Sequence, residues 1–198
     1  MRKLNRKPFQ QLPVTVQTTL SNATANGLRW DDIGKDGVRQ ELRVMQHGHC
    51  AYCGCKLSDA DDLTRIDHFI PRSSASGKSR VFDWTNLYLS CDRPNTCDSF
   101  KGSKTDAIVN PDTEDPADFL TYGATGAIMV RRGLSAPDAT KAAATIRVLN
   151  LAAGELAAAR IVYFNRMVKN LGGVANMKAY LARRDVQYYS FCVSMLTR

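Results

Sequence analysis

The sequence reads CAYC at residues 50–53, RIDHFIPR at residues 65–72, WTNLYLSC at residues 84–91 and CDSFK at residues 97–101. Two pairs of cysteines therefore enclose an Asp-His dipeptide and, further along, an asparagine. An Asp-His dipeptide alone is common by chance, and a lone asparagine is more often a turn residue. Their nesting between two cysteine pairs, in this order, makes the segment informative about both fold and chemistry.

The two cysteine pairs predict a structural zinc site. Cys50 and Cys53 form a C-x2-C pair, and Cys91 and Cys97 form a C-x5-C pair about forty residues later. Each pair can place two thiolates on one side of a turn, and two such knuckles complete the tetrahedron that structural Zn²⁺ prefers. Four protein ligands leave no open position, so this metal would support the fold and carry out no chemistry.

Other residues near the first pair leave the ligand set open. Cys55 could replace one of the four cysteines, and His47 and His49 could compete with them. We expect both histidines at the surface or at a helix end. Cys192 lies in an apolar stretch and is expected in the core, since buried free cysteines behave as small hydrophobic residues.

The composition is typical of a soluble protein and favours binding to nucleic acid. The 198 residues carry 27 Lys and Arg against 19 Asp and Glu, a net charge of +8, and the pI is near 9.3. A basic surplus favours a nucleic-acid partner, because phosphate contacts dominate such binding. No apolar run reaches the length of a membrane span or a signal peptide, so we expect no membrane association and a cytoplasmic location. In that reducing compartment, clustered cysteines more often hold metal than form disulfides.

Hydrophobic periodicity predicts an α+β fold that is mostly helical. Residues 1–45 are predicted to hold an irregular arm, broken by Pro8 and Pro13, and then a helix between Gly34 and Gly48. Residues 46–106 are predicted to form the central core, and residues 107–198 a connector and a helical region. The predicted elements beyond the first helix are strands at Arg65–Ile70, Trp84–Ser90 and Gly126–Arg131, a short helix at Cys97–Gly102, and helices that start at Ser135, near Leu156, near Met177 and at Tyr188. In the second strand, Leu87 and Leu89 are expected on one face, and Asn86, Tyr88 and Ser90 on the other.

The order Asp67-His68, Asn86 and Asp98 between two knuckles resembles the HNH endonucleases, whose ββα-metal core carries these groups on two strands and a helix. The resemblance implies phosphodiester hydrolysis with Mg²⁺ or Mn²⁺. His68 suits a general base because its ordinary pKa is about 6.5. Asp67, expected on the opposite strand face, and Asp98 would bind the metal, while His68 faces water. Asn86 would orient His68 or its loop.

One position departs from that family, and several cations could contact substrate. The last motif residue is usually His or Asn, whereas here it is Asp98, whose carboxylate is also a good oxygen ligand for a hard cation. Lys101 lies one helical turn after Asp98 and could touch substrate phosphate. Arg72, Lys78 and Arg80 in the following loop could track a nucleic-acid backbone, although such a cluster is often only a solvated face.

A wider resemblance extends over most of the chain, to the PtuB-type HNH nucleases of Septu and retron-associated anti-phage defence systems. It implies an ATPase partner of ABC/SMC-like (PtuA) type that restrains the nuclease, with DNA favoured over RNA as the target. The helices in residues 135–198 could either dock that partner or only complete the core. The resemblance rests on Met1 to Lys3, Pro8, Trp30, Gln46 to Cys53, Ile66 to Arg72, Phe82 to Cys91, Asn110-Pro111, Glu114 to Pro116, Phe119 to Tyr122, Gly126 to Ile128, Thr145-Ile146, Leu149 to Leu151 and Leu156 to Arg160.

Three alternatives to this function stay open at the level of sequence. The chain could be a zinc-stabilised module that binds nucleic acid or protein without catalysis. It could be an HNH nuclease of restriction or homing type. It could also be a structural subunit whose site has decayed. The set Asp67, His68, Asn86 and Asp98 argues against the first and third, and the helical C-terminal region argues against the second.

Overall fold

Two antiparallel strands and a short helix form the centre of the chain. Strand β1 (Thr64–His68) pairs with strand β2 (Leu87–Cys91), and helix α3 (Cys97–Lys101) follows. The register places Thr64 opposite Cys91 and His68 opposite Leu87. This computed structural model describes residues 1–58, 64–182 and 186–197. The ββα core predicted from the sequence is confirmed.

Helices surround this core on both sides in the sequence, which confirms the mostly helical α+β class. A second, smaller hairpin lies in the C-terminal half, and Ser135 caps the helix after it by accepting a hydrogen bond from the Asp138 N–H. The further elements are α1 (Val14–Ala25), α2 (Asp36–Met45), α4 (Pro116–Phe119), β3 (Leu120–Tyr122), β4 (Ile128–Val130), α5 (Ala136–Val148), α6 (Gly154–Asn170), α7 (Val174–Leu181) and α8 (Tyr189–Leu196).

Helix α1 corrects the prediction of an irregular N-terminal arm. Pro13 is the N-cap of α1, and Pro8 is the N-cap of a short 3-10 turn. Proline is tolerated at a helix start, where its missing N–H would have no partner in any case. Val16, Leu20 and Ala23 then form the buried stripe of α1. The two prolines start regular structure here instead of breaking it.

Strand β2 is buried along its whole length, and its geometry puts Leu87 and Leu89 on one face and Tyr88 and Ser90 on the other, as predicted. All five of its residues are buried, and Asn86 precedes the strand in a 3-10 turn (Trp84–Asn86). Helix α2 and helix α3 both pack against β2, while β1 pairs with it. A strand covered on both faces has no solvent side, and its sequence need not alternate.

The outer edge of β2 is closed by groups from outside the sheet. The Gln46 side chain accepts from the Leu89 N–H at 2.7 Å and donates to the Leu89 carbonyl at 2.9 Å. The Ala51 N–H also donates to that carbonyl at 3.0 Å. Arg6 donates to the Leu87 carbonyl at 2.9 Å. Side chains and a loop therefore take the place of a third strand.

Buried residues from the N-terminal, central and C-terminal segments belong to one hydrophobic cluster. Arg6 links the first two segments further, since its guanidinium lies 4.8 Å from the ring centroid of Trp84 and 4.6 Å from that of Tyr88. The division at residues 45 and 106 stays a prediction. None of the helices in the described ranges is both long and apolar enough to cross a membrane.

Candidate active site and metal centre

Four cysteines from the two knuckles come together beside the hairpin. The sulfurs of Cys50, Cys53, Cys91 and Cys97 all lie within 4.8 Å of one another, and all four residues are buried. The Cys50–Cys97 and Cys53–Cys91 sulfur distances are both 3.8 Å. A regular tetrahedron of sulfurs about 2.3 Å from zinc has edges of about 3.8 Å. The donor type and spacing therefore fit a structural zinc ion.

Cys55, His47 and His49 lie outside that group of four. Cys55 is buried beside it, and its backbone carbonyl accepts from the Cys50 N–H at 2.9 Å. His47 is exposed just after α2, as expected. His49 is only 5% exposed, so its expected surface position is wrong. The backbone of His49 forms an antiparallel β-bridge with that of Lys56, on the other side of the first knuckle. Cys192 lies in the core, as predicted.

Asp67 is the centre of a buried cluster of polar groups. Its carboxylate accepts from the Lys101 ammonium at 2.7 Å on both oxygens, and from the Tyr52 hydroxyl. Lys101 also donates to the His68 carbonyl at 2.6 Å. Both partners of the ion pair are almost completely inaccessible to solvent, with 1% of the Lys101 side chain and 5% of the Asp67 side chain exposed. One lysine from α3 thus holds the end of β1.

Burial raises the pKa of the Asp67 carboxyl, the Lys101 ammonium lowers it and the nearby Asp98 carboxylate raises it, so that the net pKa is about 7. Burial also raises the pKa of Tyr52 well above its ordinary value, and Asp67 adds to that rise. Tyr52 therefore stays a neutral phenol that donates to Asp67. Asp67 and Asp98 are brought together as predicted, with two carboxylates against one ammonium.

His68 lies at the end of β1 and is only 6% exposed. Its Nε2 is 2.9 Å from the Val81 carbonyl. The Trp30 ring packs edge-on against the imidazole, with a centroid separation of 4.7 Å and an interplanar angle of 80°. Burial lowers the pKa of His68 below its ordinary value, although the Val81 carbonyl opposes this. The expectation that His68 faces open water is wrong, because Trp30 and the loop at Val81 cover it.

Asn86 fixes the loop that holds His68 without touching the imidazole. Its side chain accepts from the Ile70 N–H at 2.7 Å and donates to the carbonyls of Ile70 and Arg80, both at 3.1 Å. These bonds join the residues after β1 to the residue before Val81. Of the two orienting roles open for Asn86, the geometry favours the one through the loop.

A cleft of about 780 Å³ opens beside His68. Arg72 and Lys78 line it and are exposed, with Arg72 3.6 Å from Asp31. Arg80 is directed elsewhere, since it donates to Asp83 at 2.8 Å and to Thr85 at 3.1 Å. Lys101 is buried against Asp67 and does not reach the solvent in this arrangement. Its predicted contact with substrate phosphate disagrees with that placement.

Sequence reasoning from residue types missed several partners of these groups. Tyr52 lies between two zinc-ligand candidates, and its spacing gives no sign of its bond to Asp67. Trp30 is far from His68 in the sequence. The Val81 contact is made by a backbone carbonyl, which any residue type supplies. A period-3.6 search of residues 14–25 would have found α1, whose C-terminal end lines the cleft.

Comparison with known proteins agrees with this geometry. Residues 50–101 match the model of the HNH endonuclease family. The chain is 30% identical over 87 residues to Septu protein PtuB from Bacillus thuringiensis. That match covers 44% of this chain and spans about a third, 33%, of the length of the relative. Together with the ββα hairpin and the clustered cysteines, these matches show that residues 50–101 are similar to the HNH endonuclease family and that less than half of the chain is similar to a PtuB protein.

Proposed function

We propose that the chain is a metal-dependent HNH endonuclease that hydrolyses phosphodiester bonds of nucleic acid. The observation that carries this proposal is the meeting of Asp67, His68 and Asp98 at one end of a ββα core that two cysteine knuckles pin together. A zinc-binding module without catalysis has no need of a histidine oriented by a backbone carbonyl next to a carboxylate pair.

Asp67 and Asp98 are the proposed ligands of a catalytic Mg²⁺ or Mn²⁺. Hard cations take oxygen ligands and keep several waters, so two carboxylates suffice. The residues present fit such an ion, because two carboxylates against the single Lys101 ammonium leave negative charge to be balanced. When bound, the ion supplies positive charge for the phosphorane and the leaving oxygen. Tyr52 and Lys101 keep Asp67 in place.

His68 is the proposed general base, and its hydrogen bond determines which nitrogen acts. A carbonyl oxygen only accepts, so the 2.9 Å contact to Val81 requires the proton on Nε2. The lone pair of the neutral imidazole is then on Nδ1, which takes the proton from the attacking water. Because burial lowers the pKa of His68, the neutral form needed for this step predominates at neutral pH.

Asn86 is proposed as a positioning residue, since it fixes Arg80 and so the neighbouring Val81 carbonyl that orients His68. Arg72 and Lys78 are proposed to contact the phosphates next to the scissile bond. Arg80 would act mainly by holding the loop through Asp83, and Lys101 by holding Asp67.

The biological setting is proposed from the similarity to Septu protein PtuB. In this setting the chain is an effector of anti-phage defence in the cytoplasm, in a Septu or retron-associated system. An ABC/SMC-like ATPase of PtuA type restrains it until infection, and DNA is its favoured target over RNA. The helices of residues 135–198 are the proposed docking surface for that ATPase.

The test is a cleavage assay with purified protein, with and without the ATPase, on plasmid, single-stranded DNA and RNA in Mg²⁺ or Mn²⁺. His68→Ala is expected to lower the cleavage rate about 10²–10⁴-fold, the usual contribution of a general base. Zinc content should stay unchanged and the protein should stay folded, because His68 is outside the thiol cluster. Full activity of His68→Ala, or no cleavage of any substrate by either preparation, would contradict the proposal.

A further inference from the structure

The cleft beside His68 has a wall that the HNH segment does not supply. The end of α1 and the turn after it supply one side, with residues 23, 24 and 27–31, and residues 72, 78, 79, 81 and 82 form the other. Trp30 belongs to the first side and packs against His68. His68 lies directly behind this lining, since Trp30 and Val81 both contact it and both line the cleft.

The charges of the cleft favour a polyanion. Arg29 on the N-terminal wall faces the same space as Arg72 and Lys78 of the opposite wall, and all three side chains are exposed. Asp31 is the carboxylate in the lining, and it lies 3.6 Å from Arg72. Three cations against one carboxylate give the cleft a net positive charge, which suits a phosphate backbone.

The cleft is also apolar next to its cations. Leu28 is 42% exposed and lines the cleft. Phe82 is half-buried and lines the cleft from the opposite wall. The Trp30 ring lies between the catalytic histidine and this phenylalanine, 4.7 Å from His68 and 6.0 Å from Phe82 between ring centroids. An aromatic face and an aliphatic side chain are thus available one ring away from the proposed base.

We propose that this cleft binds an unpaired nucleic-acid strand, with one base against Phe82 and Leu28 and the adjacent phosphates on Arg29, Arg72 and Lys78. The inference rests on the proposed nuclease function and names its substrate class. Cationic grooves interleaved with aromatic faces are the usual means of binding single strands, because every base has a stacking face. In a duplex the bases are stacked on one another, so their faces cannot reach Phe82.

The test measures binding alone, by fluorescence anisotropy without added divalent cation, so that cleavage does not interfere. The intact protein is titrated with a labelled 12-nucleotide strand, as DNA and as RNA, and with the blunt DNA duplex of the same sequence. We expect one of the two single strands to bind at least about tenfold more tightly than the duplex, as base stacking allows. Equal or tighter binding of the duplex would overturn the proposal.

Phe82→Leu tests the stacking contact, because leucine keeps an apolar side chain and removes the aromatic face. Its single-strand affinity should fall about fivefold or more, while its duplex affinity and melting temperature stay unchanged. A second series moves one abasic nucleotide along the strand. The wild type should bind more weakly when the abasic nucleotide takes the position that faces Phe82. Phe82→Leu should bind all strands of the series equally. No difference between the two proteins on these strands would refute the base contact.

Arg29→Gln and Arg72→Gln test the phosphate contacts. Each should weaken single-strand binding and lower the salt dependence by about 0.7 in log–log slope, the value for one phosphate contact on a single strand. Arg132→Gln is the matched control, because Arg132 is exposed and lies outside the cleft lining. If Arg29→Gln shows the same single-strand affinity and salt dependence as Arg132→Gln, the N-terminal wall takes no part in phosphate binding.

Parallel cleavage assays separate this inference from the nuclease proposal. Preferred binding of a single strand without cleavage in Mg²⁺ or Mn²⁺ would support the cleft and contradict the nuclease. Cleavage of a duplex that binds at least as tightly as the single strand would support the nuclease and contradict the single-strand cleft.

Discussion

The thiol cluster and the Asp67 cluster are both buried polar groups at the same hairpin, but they are built in opposite ways. The first consists of four cysteine side chains from two short knuckles, whose spacing in the sequence predicts a metal site. A carboxylate, an ammonium and a phenol form the second, each from a different segment. A bound zinc ion would stabilise the first, whereas protein groups already balance much of the charge in the second. The two clusters should therefore respond differently when one member is removed.

Cys91→Ser should have the largest effect. If zinc joins the two knuckles, losing one ligand removes much of a total stability of about 5–15 kcal/mol, because metal binding and folding are coupled at such sites. We expect the zinc content to fall from about one ion per chain and the protein to unfold at ordinary temperature. Cys55→Ser is the matched control, since Cys55 is buried nearby but outside the group of four. Loss of zinc in Cys55→Ser with retention in Cys91→Ser would reverse the ligand assignment.

Lys101→Met should destabilise the protein by about 3–5 kcal/mol, because it leaves the Asp67 carboxylate buried without its cation. The double variant Asp67→Asn with Lys101→Met should recover most of that loss. Arg65→Met is the control on the same strand, since the Arg65–Asp92 pair is half-exposed and should contribute less than about 1 kcal/mol. Urea unfolding measures all three. Equal losses for the buried and the exposed pair would show that burial does not distinguish them.

Asn86→Ala should destabilise the protein by about 1–3 kcal/mol, because three part-buried backbone groups lose the partner that the buried Asn86 side chain supplies. If Asn86 positions the Val81 carbonyl, the cleavage rate should also fall, with a larger effect on kcat than on KM. Asn86→Asp keeps the oxygen for the Ile70 N–H but turns a second oxygen towards two carbonyls, so it should not restore the rate. A stable and fully active Asn86→Ala protein would contradict the positioning role.

The smallest expected effect is a dependence of the Mn²⁺ affinity on pH. The pKa of Asp67 is raised to about 7, so the carboxyl is mostly protonated at pH 6 and mostly ionised at pH 8. The metal requires the ionised form, and the dissociation constant should therefore rise about tenfold as the pH falls over this range. Calorimetric titration measures it. Asp67→Asn should bind weakly at every pH, and a pH-independent wild type would argue against Asp67 as a ligand.

The same contrast explains what could be predicted from the sequence. The four cysteines, the ββα order and the meeting of Asp67 with Asp98 follow from spacing, because the contacts depend on side chains with a distinctive type. Trp30, Tyr52 and the Val81 carbonyl could not be derived from spacing, since nothing local marks them as partners of a remote group. Burial of His68 and Lys101 depends on how α1, α3 and the loop pack together. Periodicity does not report such packing.

The closed edge of β2 has a consequence for assembly. Gln46, Ala51 and Arg6 occupy backbone groups of Leu87 and Leu89 that would otherwise accept another strand. A strand with open backbone groups tends to recruit copies of itself or segments of other proteins. Here that route is blocked at Leu87 and Leu89, so this edge of the two-stranded sheet offers another strand fewer open backbone groups. A protein partner that approaches this edge has to recognise side chains, where specificity can be encoded, and not the backbone of Leu87 and Leu89.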